Sequence, residues 1–131
     1  MQRQFLLPEQ DVRFLEDYGL PWEAVVDGSM WVLIHNFSLP EGYNHEKATV
    51  AIRIETGYPN TQLDMVYFNP TLKRLDGKTI KATSVIQKID GKDFQRWSRH
   101  RSASNPWIPG QDDLFSHITL VEDWLSREFK K

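Results

Sequence analysis

Between residues 48 and 67 the chain reads as two extended runs about a turn. Ala48, Val50, Ile52 and Ile54 alternate with Thr49, Ala51 and Arg53, the period-2 signature of a strand with one face more apolar than the other. Gly57-Tyr58-Pro59-Asn60 interrupts the run, because glycine tolerates positive φ and proline restricts its own φ. Leu63, Met65 and Tyr67 resume the alternation, and Asn69-Pro70 follows. Upstream, residues 30–37 are apolar on both faces, Trp31, Leu33 and Phe37 against Met30, Val32 and Ile34. Such a strand belongs in the middle of a sheet, covered from both sides. Residues 22–26 make a strand before it, with Asp27-Gly28-Ser29 as the hairpin turn. The pattern therefore predicts a four-stranded antiparallel meander.

The period changes to 3.6 at both ends of the chain. Residues 8–18, PEQDVRFLEDY, predict a first helix with Val12, Leu15 and Tyr18 as a narrow apolar stripe. Pro8 suits the first helical position, Glu9 and Asp11 place negative charge near the positive end of the dipole, and Gly19 is a natural stop before Pro21. Residues 111–129 predict a longer helix, with Leu114, Ile118, Val121 and Leu125 on one face and Trp124 beside them. Asp112 and Asp113 fall in its expected first turn; Arg127, Lys130 and Lys131 close it, in agreement with the dipole. The sheet needs a helix over one face, and two are on offer.

Residues 70–110 differ. Apolar positions thin out and turn signals recur at Asp76-Gly77 and Asp90-Gly91, two ordinary turns rather than a repeat. Ile80, Val85, Ile86 and Ile89 can tack this stretch to the core, and Phe94, Trp97 and Trp107 favour order. A loop-rich insertion of this length in a compact domain points to function. The fold class expected is α+β: helix, four strands, irregular segment, helix.

Composition narrows the picture. A length of 131 residues suits a single domain, residues 1–131, and 40% hydrophobic content with five Trp and seven Phe supplies a core. Zero cysteine excludes disulfides, thiolate metal sites and a thiol nucleophile. The amino-terminal MQRQFLLPEQ has no apolar signal core, and no apolar run is long enough to span a membrane, so a cytoplasmic protein without a membrane partner is expected. A net charge of −2 argues against a nucleic-acid partner. His35, His45, His100 and His117 show no metal-ligand spacing among themselves, and neither a metal nor another cofactor is expected.

The order of elements, the Tyr58-Pro59 turn, the segment FQRWSRHR and the following Trp107-Ile108-Pro109 together resemble the ubiquitin-conjugating (UBC) superfamily. The resemblance covers roughly residues 5–128, and the nearest named group is the prokaryotic UBC-like family E. It implies a UBC-like architecture and a place in a bacterial ubiquitin-like conjugation pathway. The implied partners are a ubiquitin-like modifier and a ubiquitin-activating-like enzyme. UBC enzymes carry their cargo on a cysteine, which this chain lacks, and the His-Pro-Asn triplet that supports their oxyanion is also absent, since Asn69-Pro70 does not match it.

Counted back from Trp107, the place of the missing cysteine falls at Arg99, next to Ser98. Ser98 is therefore the nearest stand-in and would form an oxyester. A hydroxyl needs a base, and His100, two residues on, leaves the same side of an extended segment. Ser102 and Ser104 are rival hydroxyls. Arg96, Trp97, Arg99, Arg101 and Trp107 form the basic-aromatic cluster that would hold a partner or the modifier's tail, with Arg99, Arg101 or main-chain N–H groups left to replace the oxyanion support. Three readings stay open: a serine-oxyester carrier, a non-catalytic UBC variant, and a small protein-binding module unrelated to ubiquitin transfer. The residues do not decide the oligomeric state.

Overall fold

The computed structural model describes residues 1–131. The chain folds as helix α1 (Glu9–Tyr18), strands β1 (Trp22–Asp27), β2 (Ser29–Ser38), β3 (Lys47–Ile54), β4 (Val66–Asn69), β5 (Ile86–Ile89) and β6 (Lys92–Trp97), and helix α2 (Leu114–Arg127), closed by a 3-10 turn at Glu128–Lys130. It is a mixed α+β structure, with one antiparallel sheet in the order β1-β2-β3-β4-β6-β5. No helix is long and apolar enough to cross a membrane.

The four-stranded meander is corrected to six strands. The extra pair, β5 and β6, forms within the stretch expected to be irregular, turning at Asp90-Gly91. Its pattern hides it: only Ile89 of β5 is buried, so no alternation marks that strand. The β5–β6 turn reaches round to the β1–β2 turn, where the Asp90 N–H donates to Asp27 Oδ2 at 2.8 Å. Gln2 Nε2 donates to Asp90 Oδ2 at 3.0 Å and to Glu23 Oε1 at 3.1 Å, closing the same corner. The sheet is thus curled until its first and last strands nearly meet.

Each face has its own core. One is covered by the helices: Leu15 of α1 and Leu114, Ile118, Val121 and Leu125 of α2 pack on Val32, Ile34, Val50, Ile52, Val66 and Phe68. The other lies within the curl, where Val25, Trp31, Leu33, Ala51, Tyr67, Ile89 and Phe94 bury one another. Strand β2 is covered on both sides as expected, with one correction: Phe37 shares the helix-side core with Val32 and Ile34, not the side of Trp31 and Leu33. The register shifts between Ile34 and Phe37, where Asn36 has a φ of 59°, and that bulge resets the alternation. Met65 does the same before β4. Its φ of 60° breaks the extended run, so Leu63 joins Val66 and Phe68 on the helix side while Tyr67 faces the curl.

Two helix termini also differ from the pattern. Pro8 is the N-cap of α1 rather than its first residue. Helix α2 starts at Leu114 because Asp113 caps it, accepting from the Ser116 N–H while the Ser116 hydroxyl receives the Asp113 N–H. Asp112 lies outside and accepts the Ile108 N–H at 2.7 Å. Asp11 is buried and ties the pieces together, accepting the Tyr58 hydroxyl at 2.5 Å and the Leu114 N–H at 3.3 Å. Burial raises its carboxyl above the ordinary carboxylate range. Gly42 passes so close to Phe129 that a Cβ would meet the ring at 2.7 Å, and its φ of 108° suits glycine alone.

Candidate functional site

Strand β6 ends on Trp97, which is fully buried against Phe68 and Tyr43. Alternation sends Ser98 to the opposite side of the sheet. Main-chain bonds hold this stretch on both flanks. Ser98 N–H donates to the Ala82 carbonyl at 3.0 Å, and Met65 N–H donates to the Arg99 carbonyl at 3.1 Å. The loop carrying Asp64 is thereby set beside the residues that follow β6.

Ser98, His100 and Asp64 come together in a line. Ser98 Oγ lies 3.4 Å from His100 Nε2, and His100 Nδ1 lies 3.0 and 2.9 Å from the two Asp64 carboxylate oxygens. With Nδ1–H donating to Asp64, Nε2 presents its lone pair to the Ser98 hydroxyl. The Oγ–Nε2 separation is long for a made hydrogen bond; catalytic bonds of this kind often tighten only with substrate present. Ser98 is half-buried and His100 exposed.

Asp64 went unseen in the sequence, because it stands 36 positions from His100 and no spacing rule connects them. Its loop is fixed from below by His117 on α2. Nε2–H of His117 donates to the Met65 carbonyl at 2.8 Å, and the ring meets Trp124 edge-on at 5.7 Å. His117 is fully buried, and burial pushes its pKa down to about 4, so the ring is neutral near pH 7.

The basic-aromatic cluster divides. Arg99 donates to the Lys81 carbonyl at 2.9 Å and to Glu128 Oε1 at 3.4 Å, with its guanidinium 5.0 Å from the Trp97 ring centroid. Arg101 is bound to Asp112 at 3.3 Å and to Asn105 Oδ1 at 3.4 Å, and lies 5.1 Å over the ring of Trp107. Trp107 donates Nε1–H to the Pro59 carbonyl at 3.0 Å, joining the Tyr58-Pro59 turn to the loop before α2. These side chains brace the segment. Arg96 differs, standing on the face of Ser98 opposite Tyr67.

The rival hydroxyls, Ser102 and Ser104, bond to each other at 2.9 Å and to no imidazole. Two depressions, of about 430 and 450 Å³, follow α2 and the loop before it, sharing Asn105, Asp112, Phe115 and Ser116. Neither Ser98 nor His100 lines them. No group of three His, Asp or Glu is placed to hold a metal ion.

The family model described as prokaryotic E2 family E matches residues 7–128. The chain belongs to prokaryotic E2 family E. It is a ubiquitin-conjugating-enzyme-like protein of bacterial type, and one without a single cysteine. Neither a curated protein nor a solved structure matches it. The span takes in α1, the whole sheet and α2, so the serine, histidine and aspartate of this family E protein all lie inside the matched region.

Proposed function

We propose that the chain is a single UBC-like domain that takes part in a bacterial ubiquitin-like conjugation pathway and carries the modifier as an oxyester on Ser98. The observation that supports this is the alignment of Ser98 Oγ, the His100 ring and the Asp64 carboxylate. A nucleophile, a base and a group orienting that base are the parts a weakly acidic hydroxyl needs. In the loading step Ser98 Oγ adds to the thioester carbonyl of a modifier held by its activating enzyme, and His100 Nε2 takes the hydroxyl proton. The intermediate collapses with loss of the thiolate, which receives that proton. In the transfer step an amine attacks the ester carbon and gives up a proton to His100 Nε2, and the C–O bond to Ser98 breaks, the leaving alkoxide taking that proton back from His100 as the amide forms.

The test uses the purified protein with a ubiquitin-activating-like enzyme and a ubiquitin-like modifier from the same genome, plus ATP, read by intact mass. The expected product is an adduct of modifier mass, cleaved by mild base or hydroxylamine and absent in Ser98→Ala. His100→Ala and Asp64→Asn should each slow its formation by about 100-fold or more. An adduct that survives Ser98→Ala and is lost in Ser102→Ala or Ser104→Ala moves the ester to another hydroxyl.

A second reading, a non-catalytic UBC variant that binds modifier or activating enzyme without an ester, draws on one observation. Arg99 and Arg101, the side chains expected to replace the oxyanion support, are both turned to internal carboxylates. Its signature is retained binding with no adduct in the same mixture.

A further inference from the structure

Arg96 precedes Ser98 by two residues on one extended stretch, so the two side chains leave the same face about 7 Å apart at the backbone. That is a span an arginine side chain can cross. Across the ladder Arg96 is paired with Tyr67. Every other arginine in the chain is engaged: Arg3 by the main-chain carbonyls of Gln2 and Trp22, and each of the rest by a carboxylate oxygen no farther than 3.4 Å. Arg96 enters none of these pairs; its Nε, like that of Arg101, is shut from solvent with no acceptor, and Arg96 alone lacks a partner for the rest of its guanidinium. A buried donor left unmade costs on the order of 1–3 kcal/mol, more when charged. An unmade donor of this kind calls for an explanation, and an acceptor brought by a ligand is one.

Tyr67 stands behind it. The ring is buried edge-on against Trp31 at 5.0 Å, and burial keeps its phenol protonated although Arg53 and Arg96 pull the other way. The hydroxyl is therefore a donor. Arg53 is committed to Glu55 at 2.9 Å, which leaves Arg96 as the uncommitted cation of the group.

We propose that Arg96, backed by the Tyr67 hydroxyl, receives a carboxyl oxygen of a peptide C-terminus laid against Ser98. The ligand class is an extended peptide ending in a free or activated carboxyl group, for which a forked guanidinium is the matching donor. The catalytic half of the proposal rests on Ser98 as the carrier; the binding half does not. When Ser98 Oγ adds to the acyl carbon, the carbonyl π electrons move onto that oxygen, and Arg96 holds the negative charge while His100 holds the proton. Collapse restores the carbonyl and expels the thiolate. Arg96 thus fills the role left vacant by the absent asparagine, with Arg99 and Arg101 excluded by their own partners.

The binding half is tested on the ¹⁵N-labelled full chain, following arginine Nε–H resonances during titration with N-acetyl-diglycine as the free acid and as its carboxamide. The free acid should shift the Arg96 signal saturably, and the carboxamide should bind at least tenfold more weakly. Arg96→Ala should abolish the preference and Tyr67→Phe reduce it; Arg96→Lys, which keeps charge and strand, should retain part of it. Equal response to acid and amide, or an Arg96 shift no larger than that of exposed Arg13, overturns the proposal. The catalytic half is tested by single-turnover transfer from the loaded activating enzyme. Arg96→Ala should slow ester formation by about 100-fold at unchanged affinity for that enzyme. Transfer at the wild-type rate removes Arg96 from the chemistry and leaves the carrier standing. An acid-over-amide preference in a protein that forms no ester removes the carrier and leaves the carboxyl site standing.

Discussion

At Met65 the backbone takes a φ of 60°, and the carbonyl there accepts the Nε2–H of buried His117. That bond holds the Asp64 loop and also ties the fold to pH. Burial places His117 at about 4, against an ordinary 6.5 in the unfolded chain. Between those values the unfolded state binds more protons, so stability from this group is complete above 6.5 and falls as pH drops toward 4, by up to about 3 kcal/mol. Asp11 acts in the opposite sense, because its raised carboxyl loses stability as pH rises through that raised range. Urea denaturation at several values between pH 7 and 4.5 should show the loss, and His117→Gln should flatten it. A flat wild-type profile counts against a buried neutral His117. At this scale the sequence exposed Ser98 and His100, since residues two apart in an extended run share a side. It hid Asp64, because the contact depends on a left-handed turn at Met65 that no glycine or asparagine announces.

The end of α2 is anchored by charge. Glu128 is buried and receives Arg74 at 3.3 Å and Arg99 at 3.4 Å, while Arg74 also grips Asp76 at 2.6 Å. One carboxylate thus joins the 3-10 turn, the Asp76-Gly77 turn and the residue after Ser98. Glu128→Ala removes one charged partner from buried Arg74, which keeps Asp76 and the main-chain carbonyl of residue 128, and should cost about 1–3 kcal/mol. Thermal melting reads that loss, and a drop of under a degree or two would mean that water replaces the pair at no cost. The helices were legible because a 3.6-residue stripe survives any sheet arrangement. The β5–β6 hairpin was legible only as the Asp90-Gly91 turn, because three of the four β5 side chains are exposed. The swap of Phe37 to the other face was not legible at all, since a bulge leaves no mark on the hydrophobic pattern.

For the molecule as a whole, the curl could not be read from the chain. It brings together two turns 63 residues apart, joined by the bond from the Asp90 N–H to Asp27. What the curl leaves at the two ends of the sheet is unequal. Residues 2–4 lie along β1, with Gln4 N–H donating to the Ala24 carbonyl at 2.8 Å and Ala24 N–H to the Gln2 carbonyl at 3.0 Å. Strand β5, by contrast, pairs only with β6. A molecule with one open edge can pair with one copy of itself and then stop, for the pairing uses up the edge. A molecule with two unlike open edges can add copies without limit, because β1 of one meets β5 of the next and the contact never closes. A chain shortened to begin at Phe5 should therefore scatter light increasingly with concentration, where the full chain stays at constant mass; equal behaviour would show that the β1 edge is blocked by other means. If the shortened chain grows in this way, the first few residues are a terminator, and whatever is fused to them would inherit control over whether the protein remains particulate or becomes a fibre.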